Sequence, residues 1–288
     1  MATDRWAQWL RQGRDAGDER VREFGAALLA GYRDGVLDRA AINPGDVLLD
    51  VGTGTGLIGL AALDRVGPAG RVIFSDISAE LLDGCRAAAG EPDRCRFVQA
   101  PADDLSEIAD GTVDVVTTRS VLIYVADKPA AFAEFHRVLR PGGRLSIFEP
   151  VNRFGGPHLP LLGGLDLAEV ADLAAKVATA YARTPPDQNP MLNFDERDLL
   201  RWAGGAGFTA LALDYHAEVD VPHPMPTTDW DTMKRTAPNP LAPTYEQAIA
   251  ATLTPAERTR LETHLRAALA TATINRTQAT TYLTATRP

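Results

Sequence analysis

The chain has 288 residues, of which 45% are hydrophobic and 23% are charged, and its formal net charge at pH 7 is -9. This length and composition allow a large globular core with or without a smaller additional domain. The acidity and the scattered arginines argue against a nucleic-acid substrate, because no basic stripe is present to neutralise phosphates. No stretch has the character of a membrane span or a secretion signal, so we expect a cytoplasmic protein without membrane contact.

The hydrophobic pattern changes from helical spacing near the start to strand and helix alternation over residues 47–148. Trp6, Trp9 and Leu10 recur at the spacing of one helix face, and the first forty residues are predicted to be helical. The alternation that follows is typical of an open parallel sheet covered by helices on both faces. Predicted strands are Val47–Val51, Arg71–Ser75, Cys95–Gln99, Val113–Thr117 and Arg144–Phe148; predicted helices are Leu57–Val66, Ala79–Ala89 and Lys128–Leu139.

The pattern after Pro150 is looser. Glycine and proline are frequent in residues 152–164 and 222–243, which we expect to be irregular. The other predicted elements are helices at Asp166–Arg183, Phe194–Ala206 and Thr254–Thr273, and strands at Phe208–Val221 and Thr280–Ala285.

A glycine-rich turn follows the first predicted strand. It reads Asp-Val-Gly-Thr-Gly-Thr-Gly from Asp50 to Gly56, and Asp76 ends the next strand. Glycines let a backbone approach a ligand closely and adopt positive φ, and ligands of open parallel sheets bind at the carboxyl ends of the strands. An acidic side chain there accepts hydrogen bonds from ribose hydroxyls. The motif therefore predicts half of a nucleoside-binding site.

The motif alone leaves two other interpretations open. Residues Gly54 to Gly59 also fit the dinucleotide fingerprint, in which Asp76 would bind the ribose of NAD. The glycines could also simply connect a strand to a helix. A dehydrogenase needs a second nucleotide half-site beyond the fourth strand, and the sequence shows no such motif.

Four motifs together resemble the class I S-adenosylmethionine (SAM)-dependent methyltransferases, in the ubiquinone/menaquinone-methyltransferase-like branch. The resemblance covers residues 44–150 well and residues 194–220 and 277–288 more weakly. The motifs are DVGTGTG from Asp50, FSDIS from Phe74, FVQAPADDL from Phe97 and FHRVLRPGGRLSIFEP from Phe135.

The resemblance implies a Rossmann-like α/β fold, with seven strands in the order 3-2-1-4-5-7-6 and the last strand antiparallel. Helices would cover both faces, and a helical cap would select the substrate. The implied division is residues 1–43 (N-terminal helices of the cap), 44–150 (SAM-binding core), 151–193 (a cap insertion), 194–221 and 276–288 (completion of the sheet) and 222–275 (a second cap insertion).

The resemblance also implies the residues that contact the cofactor. The glycines would face its methionine part, Asp76 its ribose and Ile77 its adenine. Relatives carry an acid where this chain has Pro101, so Asp103 is the nearest substitute. Arg119 would lie against the methionine part, although a surface position or a substrate clamp is also open. The implied set is Asp50, Gly52, Thr53, Gly54, Gly56, Asp76, Ile77, Ala102, Asp103, Arg119 and Ser120, with no metal.

The catalytic groups are less well defined by the sequence. A hydroxyl acceptor needs a general base within reach of its proton, whereas a neutral amine needs one less. Tyr124, just beyond the fourth strand, and His158 in the first irregular segment are the candidates. The other role for Tyr124 is packing beneath the cap.

The leading hypothesis is SAM-dependent methyl transfer to an O, N or C nucleophile of a small, mainly apolar metabolite, with S-adenosylhomocysteine as product. The alternatives are an NAD(P)-dependent oxidoreductase and a protein of this fold that binds SAM without transferring methyl. The abundance of alanine, arginine and glycine with little lysine suggests a bacterial source, and secondary metabolism is our guess from it. A homodimer is a further candidate state.

Overall fold

The computed structural model describes residues 4–90, 92–155, 164–224, 229–270 and 273–288. The chain forms two compact units. The sheet unit consists of Leu29–Arg153, Pro186–His216 and Ala279–Pro288, and the helical unit consists of Met1–Leu28, Phe154–Pro185 and Ala217–Gln278. Across the described ranges, no helix combines the length and the hydropathy needed to cross a membrane.

One seven-stranded sheet has the order 3-2-1-4-5-7-6, which confirms the fold implied by the resemblance. Strands one to five pair with one another in parallel, and strand seven is antiparallel to strand five. The strands are β1 (Val47–Val51), β2 (Arg71–Asp76), β3 (Cys95–Gln99), β4 (Val113–Arg119), β5 (Leu139–Pro150), β6 (Thr209–Pro224) and β7 (Thr273–Thr286).

The central strands are apolar on both faces, as expected for parallel strands that helices cover on each side. In β1, Leu49 and Val51 belong to one core cluster, whereas Leu48 belongs to the cluster on the other side. The helices are α1 (Arg5–Gln8), α2 (Glu19–Arg39), α3 (Gly59–Val66), α4 (Ala79–Ala89), α5 (Lys128–Val138), α6 (Asn152–Gly155), α7 (Ala171–Ala178), α8 (Glu196–Gly205), α9 (Trp230–Met233), α10 (Tyr245–Thr252) and α11 (Pro255–Leu269).

The bounds predicted around Pro141 differ from those in the structure. The helix was predicted to end at Leu139 and the next strand to begin at Arg144, whereas β5 begins at Leu139 and includes residues 140–143. The cause is a distant partner: the N–H of Gly142 donates to the carbonyl of Arg287 at 2.8 Å, and the N–H of Arg287 donates to the carbonyl of Gly143 at 2.9 Å. The chain end after β7 therefore extends the ladder along this segment.

Helix bounds outside the central sheet were also predicted imperfectly. The predicted helix from Asp166 is a 3₁₀ turn, Ala168–Val170, followed by the shorter α7. The helix from Thr254 ends at Leu269 rather than at Thr273. Helix α9 lies within a segment predicted to be irregular, and α10 was missed although Thr244 and Gln247 form a capping box at its start.

The helical unit has a hydrophobic core of its own. Leu173 of α7, Trp230 of α9, Tyr245 of α10 and Leu265 of α11 are nearly fully buried in one cluster. The Thr254 hydroxyl accepts the N–H of Glu257, and the Glu257 carboxylate accepts the N–H of Thr254, which caps α11. This unit therefore depends on apolar packing between helices, of which α9, α10 and α11 have side-chain N-caps.

We expect Leu265→Ala to destabilise the helical unit by about 2–5 kcal/mol, because it removes a fully buried side chain and leaves a cavity. Leu241→Ala is the control, because this side chain is 53% exposed. Urea unfolding monitored by tryptophan fluorescence measures both changes. Equal stability of the two variants would show that the packing around Leu265 contributes little.

Candidate functional site

The loop between β1 and α3 has a conformation that requires glycine. Gly52, Gly54 and Gly56 have φ values of 64°, 57° and 85°, in the left-handed region that glycine adopts most easily. A Cβ atom on Gly52 would lie 2.3 Å from Cγ2 of Val121. The loop therefore packs against the segment after β4 at a distance that only glycine allows.

The side chain of Asp50 fixes this loop. One carboxylate oxygen accepts the hydroxyl of Thr53 at 2.7 Å and the N–H of Gly59 at 2.9 Å, and the other accepts the hydroxyl of Thr117 at 3.1 Å. Burial raises the pKa of Asp50 to about 6, while these three hydrogen bonds and the nearby Arg119 lower it. Asp50 therefore links the loop, α3 and β4.

Asp76 lies beside the glycine-rich loop, at the end of β2. Its Oδ2 accepts the N–H of Gly54 at 2.8 Å, and its Oδ1 accepts the N–H of Ser78 at 2.9 Å. The next residue, Ile77, is 46% exposed. A polar and an apolar contact surface thus adjoin the loop.

The loop amides are largely engaged by protein acceptors. The N–H of Thr53 donates to the carbonyl of Ser75 at 2.9 Å, and the N–H of Gly56 donates to the carbonyl of Thr53 at 2.9 Å. The N–H of Gly54 is bonded to Asp76. These three donors are therefore not directed at a ligand, unlike the amides that cradle a pyrophosphate in a dinucleotide site.

The segment after β4, residues 120–124, is termed the β4 turn. Ser120 has a φ of 55°, and its N–H donates to the carbonyl of Phe148 at 2.9 Å. Nη1 of Arg119 lies 3.2 Å from the hydroxyl of Ser120. Tyr124 ends the turn as part of a 3₁₀ helix and is half-buried, and burial raises its pKa above the usual value. A neutral phenol is therefore its resting form.

Glu149 was not identified from the sequence. It is fully buried at the end of β5, where burial raises its pKa to about 7. Its Oε1 accepts the N–H groups of Val121 and Leu122 at 2.9 Å each, and Oε2 accepts that of Ile123 at 3.4 Å. The signal that was available is an acid directly after the apolar pair Ile147 and Phe148 near the end of this strand.

The remaining predicted residues lie in different surroundings. Ala102 is buried in the sheet core, and Asp103 next to it is half-buried. The segment connects to Asp76, because the N–H of Ala100 donates to the Asp76 carbonyl at 3.1 Å. His158 lies outside the described residues. The structure therefore brings together the predicted groups at the ends of β1, β2 and β4 and leaves His158 unplaced.

Comparisons with known proteins agree with this geometry. A family model described as a methyltransferase domain matches residues 49–147. The ubiquinone/menaquinone biosynthesis C-methyltransferase UbiE of Hahella chejuensis is 33% identical over 175 residues, which cover 56% of this chain and 69% of that protein. The chain belongs to the UbiE-like class I SAM-dependent methyltransferases.

Further relatives show how broad this class is. Nocamycin O-methyltransferase of Saccharothrix syringae is 36% identical over 152 residues, which cover 50% of this chain and 52% of that protein. The YcgJ protein of Bacillus subtilis has the same fold, with a TM-score of 0.52 at 18% identity over 90% of this chain and 99% of that chain. The protein is thus a methyltransferase enzyme with SAM as cofactor.

The pH dependence of stability tests the buried Asp50. A carboxyl group with a raised folded-state pKa stabilises most below its unfolded pKa, and that stability is lost as pH rises through the folded pKa. Relative to Asp50→Asn, we expect the wild type to lose about 3 kcal/mol between about pH 4 and 6 and to change little above. Denaturant unfolding across this range measures the difference. A constant difference would contradict the raised pKa.

Proposed function

We propose that this methyltransferase transfers the methyl group of SAM to an oxygen, nitrogen or carbon atom of a small, mainly apolar metabolite. The observation that carries the proposal is the position of the Asp76 carboxylate, 2.8 Å from the amide of Gly54 in a loop that glycines alone can form. This arrangement supports a role of Asp76 as ribose acceptor, beside a backbone that a ligand can approach closely.

The proposed contacts follow the ends of adjacent strands. Gly52, Gly54 and Gly56 would face the methionine part, with Asp50 and Thr53 maintaining the loop. The ribose hydroxyls would donate to Asp76, while Ile77 would pack on the adenine with its exposed side chain. We propose that Ala102 and Asp103 lie near the adenine amino group, and Arg119 and Ser120 near the methionine part.

The proposed mechanism depends mainly on alignment. When bound, SAM supplies an electrophilic methyl carbon on a sulfonium. The chain would orient the acceptor in line with this carbon, and orientation can contribute on the order of 7–11 kcal/mol. Tyr124 and His158 are the proposed proton acceptors for a hydroxyl substrate. The raised pKa of Tyr124 means that the phenol first needs a partner to take its proton.

The dinucleotide alternative is disfavoured by the loop. A pyrophosphate carries negative charge and needs backbone donors from the glycine-rich turn. The amides of Thr53, Gly54 and Gly56 instead donate to protein acceptors, and the carboxylates of Asp50 and Asp76 lie beside them. A pyrophosphate would therefore find these three amides already bonded, with two acids beside them.

The identity of the methyl acceptor has less specific support than the identity of the cofactor. The relatives are named as C- and O-methyltransferases, so the family does not select the acceptor atom. A role of residues 1–43, 151–193 and 222–275 in selecting the acceptor stays a prediction. A homodimeric state, a cytoplasmic location and a place in bacterial secondary metabolism also stay predictions.

We expect Asp76→Ala to weaken binding of S-adenosylhomocysteine by about 10- to 100-fold, because charge-assisted hydrogen bonds to the ribose are lost. Isothermal titration calorimetry measures the change. Asp83→Ala on α4 is the control, because Asp83 is exposed and pairs with Arg86 at the surface. Unchanged affinity of the Asp76 variant would contradict the ribose assignment.

The same experiment can separate ribose binding from loss of loop structure. The ligand analogue without the ribose 2′-hydroxyl should bind more weakly to the wild type but should lose less affinity on Asp76→Ala. An equal loss for both ligands would indicate that Asp76 acts on the loop alone, since Gly54 also donates to it.

Transfer itself is tested by mass spectrometry. The enzyme is incubated with SAM carrying a deuterated methyl group and with a panel of apolar phenols, amines and enols. We expect a product that gains one labelled methyl group together with S-adenosylhomocysteine. Tight cofactor binding without a labelled product from any panel member would favour the alternative in which the protein binds SAM without transferring methyl.

A further inference from the structure

Glu149 is a buried carboxylate to which the proposed transfer step assigns no role. We propose that Glu149 is a positioning residue that holds the β4 turn against the glycine-rich loop and thereby sets the affinity for SAM. This inference rests on the proposed function, because it concerns the same cofactor site. It assigns a role to a side chain that would act through the backbone rather than by touching the cofactor.

The backbone of the β4 turn is hydrogen-bonded to the Glu149 carboxylate. The side chains of Leu122 and Ile123 are buried in the sheet core, which fixes their backbone away from water. Their N–H groups and that of Val121 find their acceptor in the Glu149 carboxylate. Without it, buried donors would lose their partner, which costs more than an ordinary exposed hydrogen bond.

Val121 connects the β4 turn to the glycine-rich loop. Val121 is the residue whose methyl groups lie against Gly52, where even a Cβ atom would clash at 2.3 Å. Its own N–H is bonded to Glu149 at 2.9 Å. A shift of the Val121 backbone would therefore either open this contact or push Gly52, and both changes alter the loop.

The start of the β4 turn is also hydrogen-bonded to β5. Ser120 has an unfavourable positive φ, and its N–H is bonded to Phe148, the residue before Glu149. Two consecutive residues at the end of β5 thus accept hydrogen bonds from four consecutive residues of the turn. Arg119 immediately precedes them. The end of β5 therefore fixes the part of the turn that is proposed to face the methionine moiety.

The electrostatic surroundings make this role dependent on pH. The charged or titratable groups that interact with Glu149 are Arg119 on β4, Tyr124 in the turn and Lys128 at the start of α5. Burial raises the pKa of Glu149 to about 7. Above this pH the carboxylate accepts all three amides, whereas a protonated carboxyl loses acceptor capacity.

The test is calorimetric binding of S-adenosylhomocysteine to the full-length protein at pH 8. Glu149→Gln keeps the size of the side chain but replaces one acceptor oxygen with an NH₂ group. We expect the dissociation constant to rise about tenfold, the effect of losing one charge-assisted hydrogen-bond acceptor. We also expect the affinity of the wild type for S-adenosylhomocysteine to fall between pH 8 and 6. The part of this fall that comes from protonation of Glu149 should be absent from Glu149→Gln.

Asp114→Asn is the matched control. Asp114 is also a nearly buried carboxylate that accepts a backbone N–H, from Val47 at 2.7 Å. It lies five residues before Arg119 on β4, about 16 Å from the site. We expect affinity within twofold of the wild type even if the melting temperature falls. An equal loss of affinity in the control would mean that Glu149 acts through general stability, which would overturn the proposal.

A second variant keeps the test valid if Glu149→Gln does not fold. Val121→Ala removes the contact with Gly52 and leaves the buried carboxylate and its hydrogen bonds in place. We expect it to weaken binding by a few-fold, and less than additively with Glu149→Gln, because both act through the same turn. Unchanged affinity in Val121→Ala, or strict additivity of the two changes, would overturn the proposed route.

The outcomes distinguish this inference from the proposed function. A wild-type protein that does not bind S-adenosylhomocysteine would contradict the cofactor site itself. A wild-type protein that binds, together with a folded Glu149→Gln variant of equal affinity, would overturn the positioning role and leave the proposed function intact.

Discussion

The hydrogen bonds of the Asp50 carboxylate are the interaction on which the site depends. They join the glycine-rich loop through Thr53, α3 through Gly59 and β4 through Thr117, and all lie in the buried part of the sheet unit. A buried carboxylate is costly unless donors surround it. Because these donors come from separate elements, the loop, the helix and the neighbouring strand must assemble together, and the loop shape is determined before any ligand binds.

The same arrangement recurs at two other strand ends. Asp76 at the end of β2 accepts the amides of Gly54 and Ser78, and Glu149 at the end of β5 accepts amides of the β4 turn. In each case an acid at the carboxyl end of a strand accepts backbone N–H groups from an adjoining loop. Sharp turns at this edge of the sheet, including left-handed residues, are therefore supported by carboxylates in addition to apolar packing such as that of Leu122 and Ile123.

The sheet and its helices could be predicted from the sequence because apolar periodicity is a local property. Strand β3 and helix α4 have the predicted bounds, whereas the strand order followed from the family resemblance, since periodicity does not determine which strands pair. The start of β5 before Arg144 could not be predicted because the partner of this segment is Arg287, far along the chain. The role of Glu149 could not be predicted because its partners are amides of a turn that exists only in the folded protein.

The charges at the strand ends also bear on the kind of ligand that this site accepts. Asp50, Asp76 and Glu149 are nearly or fully buried, and Arg119 interacts with the first and the last of them. These carboxylates therefore dominate the electrostatic field near the glycine-rich loop, because interactions between buried charges are little screened by solvent. SAM carries a cationic sulfonium, a cationic ammonium group and one carboxylate, so its net charge is positive, whereas a dinucleotide carries two phosphates. The acids that maintain the loop backbone thus also favour a cationic cofactor, so that one set of side chains serves both the fold and the selection of the ligand.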